Sequence, residues 1–182
     1  MEITDKIAQD VMKNVMKYAK ILKKDPENYE ARAEIMWCGS LSHNGLTGCG
    51  TCGGDWATHL IEHELGGMFD VAHGAGLAAV WGSWARYVMD EKPERFAQFA
   101  VDVMGVEESD DVKSTALKGI EAVEEFYRMI EMPTNMKELG INPTDEQIKD
   151  MAMKATNHDT QQLGAFKKLS AKDLVEIYKT AK

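Results

Sequence analysis

Apolar residues recur at helical spacing along nearly the whole chain, and no group of adjacent segments alternates as the strands of a sheet would. Near the N-terminus the spacing is i, i+4, i+8, i+11 and i+15, one stripe of a long amphipathic helix. The stripe consists of Ile7, Val11, Val15, Tyr18 and Leu22. We expect Thr4 to cap this helix and Asp25-Pro26 to end it. The pattern predicts an all-α, multi-helix bundle.

Further helices are expected from Asn28 towards residue 44, over 55–69, over 74–89, beyond Pro93 to about 104, over 109–132, and twice near the C-terminus. Five glycines in segment 45–54 predict a loop, because each costs a helix about 1 kcal/mol relative to Ala. Segment 74–89 is apolar nearly all round, which is typical of a buried helix. Thr144 with Gln147 predicts a capping box, and Ser170 is a weaker cap for a last helix over 174–181.

Length and charge limit the classes of function. A chain of 182 residues fits one domain, so residues 1–182 are expected to form a single helical domain. The balance of 21 Lys+Arg against 30 Asp+Glu argues against nucleic acid or anionic lipid as partners. The charged N-terminus and the lack of an apolar run of about 18 residues predict a cytoplasmic protein outside the membrane. Three cysteines predict reduced thiols.

Three histidines fall in one fifteen-residue window. His59 and His63 are four residues apart on a predicted helix, so their rings leave the same face, and His73 follows at the next helix start. Imidazole is the commonest metal ligand, and this group suits a divalent transition metal. Asp55, four residues before His59, is a candidate oxygen ligand. The order differs from the H-E-x-x-H of zinc proteases, because Glu62 directly precedes His63.

The other polar residues of this region have plainer interpretations. Glu62, Glu64 and Asp70 are expected on the solvated side of the helix. His43 is expected to make a cap or loop contact, and His158 to be a solvated loop residue. Spacing inside apolar stretches assigns the four tryptophans to the core. They are Trp37, Trp56, Trp81 and Trp84.

The Cys49-Gly-Thr-Cys52 segment has the C-x-x-C spacing of some zinc and redox sites. Only six residues separate Cys52 from His59, which is shorter than zinc-finger spacing, and no strand precedes the pair. Ordinary thiols in a glycine-rich loop are the favoured interpretation. A structural zinc site from Cys49, Cys52, His59 and His63 stays open as an alternative.

Four segments of the chain carry a resemblance to a known family. They are ENYEARAEIMW at 27–37, SLSHNGLTG at 40–48, DWATHLIEHELGGMFDVAHGAGLA at 55–78, and the closing LVEIYKTAK. Together they resemble the C-terminal helical domain of the iron-containing alcohol dehydrogenases, of the dehydroquinate synthase-like fold, and within them the butanol dehydrogenase branch. The resemblance implies that His59 and His73 are metal ligands. It implies that His63 is a catalytic residue that lines the cleft without binding the metal.

The resemblance implies an NAD(P)-dependent oxidoreductase that uses Fe²⁺, or Zn²⁺ in its place, to interconvert primary alcohols and aldehydes. The family's N-terminal dinucleotide-binding α/β domain, which binds most of the NAD(P), and its upstream Asp and His ligands have no counterpart in this sequence. We therefore expect the isolated chain to be inactive and a separate α/β half to be a possible partner. Apolar surface left uncovered predicts self-association. A non-catalytic helical interaction module is the alternative from a different class.

Overall fold

The computed structural model describes residues 1–51 and 53–182, and their regular structure is helical apart from one isolated bridge between Leu163 and Leu169. The α-helices are α1 (Glu2–Lys24), α2 (Tyr29–His43), α3 (Ala57–Phe69), α4 (His73–Val88), α5 (Pro93–Asp102), α6 (Val112–Met129), α7 (Asp145–Ala155) and α8 (Ala171–Ala181). Short 3₁₀ turns follow α2 at Leu46–Gly48 and α4 at Met89–Glu91. The all-α prediction is confirmed, with helix ends within about three residues of those expected in most cases.

The fold divides into two compact units. One combines Met1–Gly54 with Glu94–Ala122, and the other combines Asp55–Pro93 with Val123–Lys182. All three histidines of the predicted metal group belong to the second unit. The single-domain organisation expected from the sequence stays a prediction.

Polar contacts near the start of α1 stabilise the first unit. Arg95 donates two hydrogen bonds to the Asp5 carboxylate, at 2.6 and 2.7 Å, and this pairing lowers the pKa of Asp5. The predicted cap at Thr4 is wrong, because α1 already begins at Glu2. Thr4 is instead buried inside the helix, where its hydroxyl donates to the Cys49 carbonyl at 2.8 Å.

The second unit is built around α4, which packs against α3 and α8, while α7 packs against α3 and α8. As predicted, α4 is buried along most of its length. Its buried residues are Gly76, Ala78, Ala79, Val80, Gly82, Ser83, Trp84, Ala85 and Val88. From α8, the buried Tyr178 donates its hydroxyl to the carbonyl of Ile61 at 2.6 Å. Burial raises the pKa of Tyr178, so this hydroxyl keeps its proton and remains a donor that fixes α8 to α3.

Local capping chemistry sets several helix ends as predicted. The capping box of Thr144 and Gln147 begins α7, and a second box of Ser170 and Asp173 begins α8. The latter starts α8 at residue 171, three residues earlier than expected. The side chain of Asn28 accepts from the Ala31 amide at the start of α2.

The assignment of all four tryptophans to the core is wrong. Trp84 is buried, but Trp37 is 62% exposed and Trp56 is 55% exposed. On α2, Trp37 neighbours the exposed Met36, so this helix presents apolar surface to solvent in the described part of the chain. The self-association expected from the sequence stays a prediction. No helix among residues 1–51 and 53–182 is long and apolar enough to cross a bilayer.

Two glycines of the first unit give opposite predictions for the same Gly→Ala change. A Cβ on Gly119 of α6 would lie 2.4 Å from the Cβ of Ala100 on α5, whereas a Cβ on Gly39 of α2 would meet nothing within 4 Å. We expect G119A to lower the free energy of unfolding by about 1–3 kcal/mol, because this contact is already tight. We expect G39A to raise it by about 0.4–1 kcal/mol through reduced unfolded-state entropy. Urea unfolding followed by circular dichroism measures both, and equal shifts in the two variants would contradict the close α5–α6 approach.

Candidate metal centre

The three clustered histidines lie together where the end of α3 turns into α4. His59 and His63 are one turn apart on α3, and His73 is the first residue of α4. The ring centroids of His59 and His73 are 5.3 Å apart, and those of His63 and His73 are 5.5 Å apart. The His59 and His63 centroids are separated by 6.5 Å. The spacing in the sequence therefore brings three imidazoles to one place.

These distances fit imidazoles that share one ion. With metal–nitrogen bonds of about 2.0–2.1 Å, two rings on a common ion have centroids roughly 4.5–6.5 Å apart, depending on the angle at the ion. The His59–His73 and His63–His73 pairs fall inside that range, whereas the His59–His63 pair, at 6.5 Å, lies at its upper limit, which requires the two rings on opposite sides of the ion. Imidazole nitrogens favour Zn, Fe, Cu and Ni over Mg or Ca. The donor set thus fits a divalent transition metal.

Glu62 adds a carboxylate to this group, and its place was not anticipated. One oxygen, Oε2, contacts Nδ1 of His73, and the residue is only 1% exposed. The prediction of a solvated Glu62 is wrong because the buried stripe of α3 runs through Thr58, Ile61 and Leu65. Glu62 occupies the i+4 position of that stripe, so helical periodicity alone contained the signal. Ligand atoms of Glu62, His63 and His73 all lie within 4.8 Å of one another.

Glycines make room for the Glu62 side chain. A Cβ on Gly76 of α4 would lie 2.6 Å from Oε1 and 2.7 Å from Cγ of Glu62. On α3, a Cβ on Gly66 would lie 3.4 Å from the same Oε1. The first of these distances is too short for any β-carbon. Because Gly66 and Gly76 have no β-carbon, the Glu62 carboxylate can reach the first turn of α4.

Asp55 lies just before α3, and its carboxylate binds backbone amides. Oδ1 accepts from the amide of Ala57, the first residue of α3, at 2.7 Å. Oδ2 accepts from the amides of Ala165 and Phe166 at 2.9 and 2.7 Å. Through these three hydrogen bonds, Asp55 holds the start of α3, the helix that carries His59 and His63, against the loop at Ala165 and Phe166. They replace the oxygen-ligand interpretation that its spacing from His59 suggested.

The histidine group is open on one side. His63 is exposed, the His73 side chain is 51% exposed, and His59 is half-buried. The indole of Trp56 stands edge-on to the His59 ring, with centroids 4.8 Å apart. An exposed aromatic side chain thus flanks the His59 imidazole at the start of α3.

The remaining acidic residues and histidines lie close to their expected places. Asp70 is exposed at the C-terminal end of α3, as predicted, whereas Glu64 is half-buried and burial raises its pKa. His43 ends α2, where its Nδ1 lies 2.8 Å from the Ser42 hydroxyl oxygen. His158 is exposed in the loop after α7.

Of the two cysteines in the C-x-x-C alternative, only Cys49 is among the described residues. Cys49 is exposed, and its thiol donates to the Gly45 carbonyl at 3.4 Å. Cys52 lies outside the described residues. A zinc site made by both cysteines with His59 and His63 therefore stays a hypothesis.

The whole chain matches a known family model. Residues 1–182 match the model described as "Fe-containing alcohol dehydrogenase family, C-terminal". Among curated proteins, the chain is 31% identical over 178 residues to NADH-dependent butanol dehydrogenase A of Clostridium acetobutylicum. It is 35% identical over 178 residues to probable NADH-dependent butanol dehydrogenase 1 of Bacillus subtilis. Both alignments cover 97% of this chain and 45% of the relative, so the chain spans slightly under half the length of these relatives.

Solved structures give the same result. The chain superimposes on NADH-dependent butanol dehydrogenase A from Thermotoga maritima with a TM-score of 0.90 and 34% identity. That alignment covers 99% of this chain and 46% of the other. It superimposes on the Escherichia coli aldehyde reductase YqhD with a TM-score of 0.91 and 28% identity, over 100% of this chain and 47% of the other. The resemblance seen in the sequence is therefore confirmed.

The role of Asp55 yields a test that separates structure from metal binding. We expect D55A to lower the free energy of unfolding by about 1–3 kcal/mol, because it removes three hydrogen bonds from backbone amides to a carboxylate. The affinity for Zn²⁺, measured on the folded variant by calorimetry, should stay within about threefold of wild type if Asp55 is no ligand. The exposed loop substitution D110A serves as the control and should change neither quantity. A tenfold loss of zinc affinity in folded D55A would restore the ligand interpretation.

Proposed function

The chain belongs to the Fe-containing alcohol dehydrogenase family, and on that premise we propose that it is the metal-holding helical part of an NAD(P)-dependent alcohol dehydrogenase of the butanol type. The whole enzyme would interconvert primary alcohols and aldehydes by hydride transfer. The single observation that carries the proposal is the meeting of imidazoles from α3 and α4, with the His59 and His73 centroids 5.3 Å apart, a distance that suits a common ion. The names of the relatives supply the substrate class and the nicotinamide cofactor.

In this proposal His59 and His73 hold the metal, Fe²⁺ or Zn²⁺. His59 is half-buried and flanked by Trp56, and His73 is fixed by its contact with Glu62, so both rings have limited freedom. A restrained ring loses less conformational entropy on binding than a mobile one. When bound, such a metal is a Lewis acid that lowers the pKa of an alcohol oxygen and polarises an aldehyde carbonyl.

His63 is assigned to proton transfer. It is exposed, whereas His59 is half-buried, and it lies one helical turn from His59 on α3. An exposed imidazole next to the reacting oxygen can take the alcohol proton and pass it to solvent at neutral pH. The edge of Trp56 supplies an apolar surface beside the His59 ring for the alkyl part of the alcohol.

The remaining parts of the reaction belong to residues outside these 182. The relatives are more than twice as long as the matched region, and they are named as NADH-dependent enzymes. We propose that an α/β part, joined or separate, binds most of the NAD(P) and supplies the further metal ligands. Two histidines leave positions at the ion to be filled, because transition-metal sites generally have four or more ligands.

The proposed function predicts that the chain itself binds a metal ion. We expect H59A and H73A each to weaken Zn²⁺ binding by on the order of tenfold or more, because each removes one ligand from a small set. H63Q should stay within about threefold of wild type, since His63 is assigned to the proton and not to the ion. Isothermal titration calorimetry on the full chain measures the three affinities. H43A, an exposed histidine at the end of α2, is the matched control and should bind as wild type does.

Two results of that titration would count against the proposal. If H63Q loses as much affinity as H59A, then His63 is a ligand and its assignment to the proton is wrong. If H59A and H73A bind zinc as wild type does, the histidine group has no metal function. The chain would then be better described as a helical interaction module.

The second prediction concerns turnover. We expect the purified 182-residue chain, loaded with Fe²⁺ or Zn²⁺, to show no butanol-dependent reduction of NAD⁺ or NADP⁺ at 340 nm, because the dinucleotide site lies outside it. Addition of a separately produced α/β half should restore the reaction, and H63Q in that mixture should lower the rate by on the order of 10²-fold. Turnover by the chain alone at a rate typical of dehydrogenases would contradict the proposed division of labour.

A further inference from the structure

We propose that Glu62 is a positioning residue that fixes the ring of His73 for metal binding. With Glu62 as the carboxylate, Nδ1 of His73 carries the hydrogen and donates it to Oε2, which leaves the Nε2 lone pair for the ion. This inference rests on the proposed function, since it specifies how one of the two metal-binding histidines is held.

The first observation is the contact between the Glu62 carboxylate and the His73 ring. Oε2 of Glu62 touches Nδ1 of His73, and no other atom of the ring is joined to this carboxylate. A ligating histidine commonly donates its second ring N–H to a carboxylate, which fixes the tautomer, orients the ring and raises its basicity. The contact between Nδ1 of His73 and Oε2 of Glu62 has the atoms that this arrangement requires, and we assign the donor hydrogen to Nδ1.

The second observation is that Glu62 and His73 differ in exposure to solvent. The Glu62 side chain is 2% exposed, whereas that of His73 is 51% exposed. The carboxylate is therefore part of the protein interior, whereas about half of the His73 side chain remains open to solvent. His59 and His63 lie near this ring, with centroids 5.3 and 5.5 Å from the His73 centroid.

The third observation concerns Gly76, because the Glu62 side chain fills the space that a side chain on Gly76 would occupy. Gly76 lies three residues after His73 on α4, one turn further along the same side of the helix. Any larger residue there would place its Cβ within 2.7 Å of two Glu62 atoms. In the first turn of α4, His73 thus supplies the hydrogen-bond partner of Glu62, and Gly76 leaves room for the Glu62 side chain.

A direct metal ligand is the competing role for Glu62, because its ligand atom lies within 4.8 Å of those of His63 and His73. Burial and the contact with Nδ1 favour positioning over ligation. A carboxylate that is bonded to Nδ1 of His73 would have to leave that bond to reach an ion bound at Nε2, on the opposite edge of the ring.

The test is a titration of the full chain with Co²⁺, whose visible absorption reports on the set of ligands. E62Q keeps the size of the side chain and removes its charge, and E62L removes the hydrogen bond. E64Q makes the same Glu→Gln change two residues along α3 and is the matched control. Circular dichroism checks that each variant is folded.

We expect Co²⁺ affinity to fall about 10- to 100-fold in E62L, by less in E62Q, and not at all in E64Q. At saturating Co²⁺ the spectra of wild type and E62Q should coincide, because the ligands are the same. An unchanged affinity in E62L would overturn the proposal. A spectrum of E62Q that differs at saturation would make Glu62 a ligand, which would also overturn it.

A second measurement needs neither metal nor variant. Long-range ¹H–¹⁵N NMR spectra of the metal-free wild-type chain should show His73 with its hydrogen on Nδ1, whereas isolated imidazoles favour hydrogen on Nε2. Hydrogen on Nε2 of His73 would overturn the proposal even if every Glu62 variant failed to fold. If wild type binds no Co²⁺ and His73 carries its hydrogen on Nδ1, the proposed function fails while the Glu62–His73 contact stands. If H59A and H73A lose Co²⁺ but E62L does not, the proposed function stands and this inference fails.

Discussion

The contact between the Glu62 carboxylate and the His73 ring is the interaction on which the candidate site depends. It joins α3 to the first turn of α4 at the place where the imidazoles meet. A buried carboxylate is costly unless it is hydrogen-bonded, so α3 and α4 are held in the one arrangement that gives Glu62 its partner. Gly76 permits this arrangement, because any β-carbon there would collide with the Glu62 side chain.

Helix geometry explains the rest of the convergence. A separation of four residues places the rings of His59 and His63 on one face of α3. Two glycines near the end of α3 and an Asp70 in the left-handed conformation, with φ of 53°, end that helix and turn the chain back. Only three residues then separate α3 from α4, so His73 begins the next helix close to the face that carries the other two histidines. At the opposite end, Asp55 fixes the start of α3 through three backbone amides.

The sequence predicted those features that depend on local periodicity or capping. These include the helices, the capping box at Thr144 and the meeting of His59 with His73, whose ligand roles stay predictions. It failed where tertiary packing decides the environment of a residue. Glu62 is expected on the solvated side of α3 but lies in the buried stripe of that helix, and only the fold shows which polar group faces it. The spacing of Trp37 inside an apolar stretch predicts a core position, but its exposure depends on which faces of α2 are covered, and a single sequence does not encode that in any local pattern.

The central claim is that one ion lies between the rings of His59 and His73. Crystals of the full chain grown or soaked with Zn²⁺ would test it through anomalous diffraction at the zinc edge. The account predicts one strong anomalous peak about 2.0–2.1 Å from a ring nitrogen of His59 and from Nε2 of His73. A peak elsewhere, or one bonded to Nδ1 of His73 in place of Glu62, would contradict it.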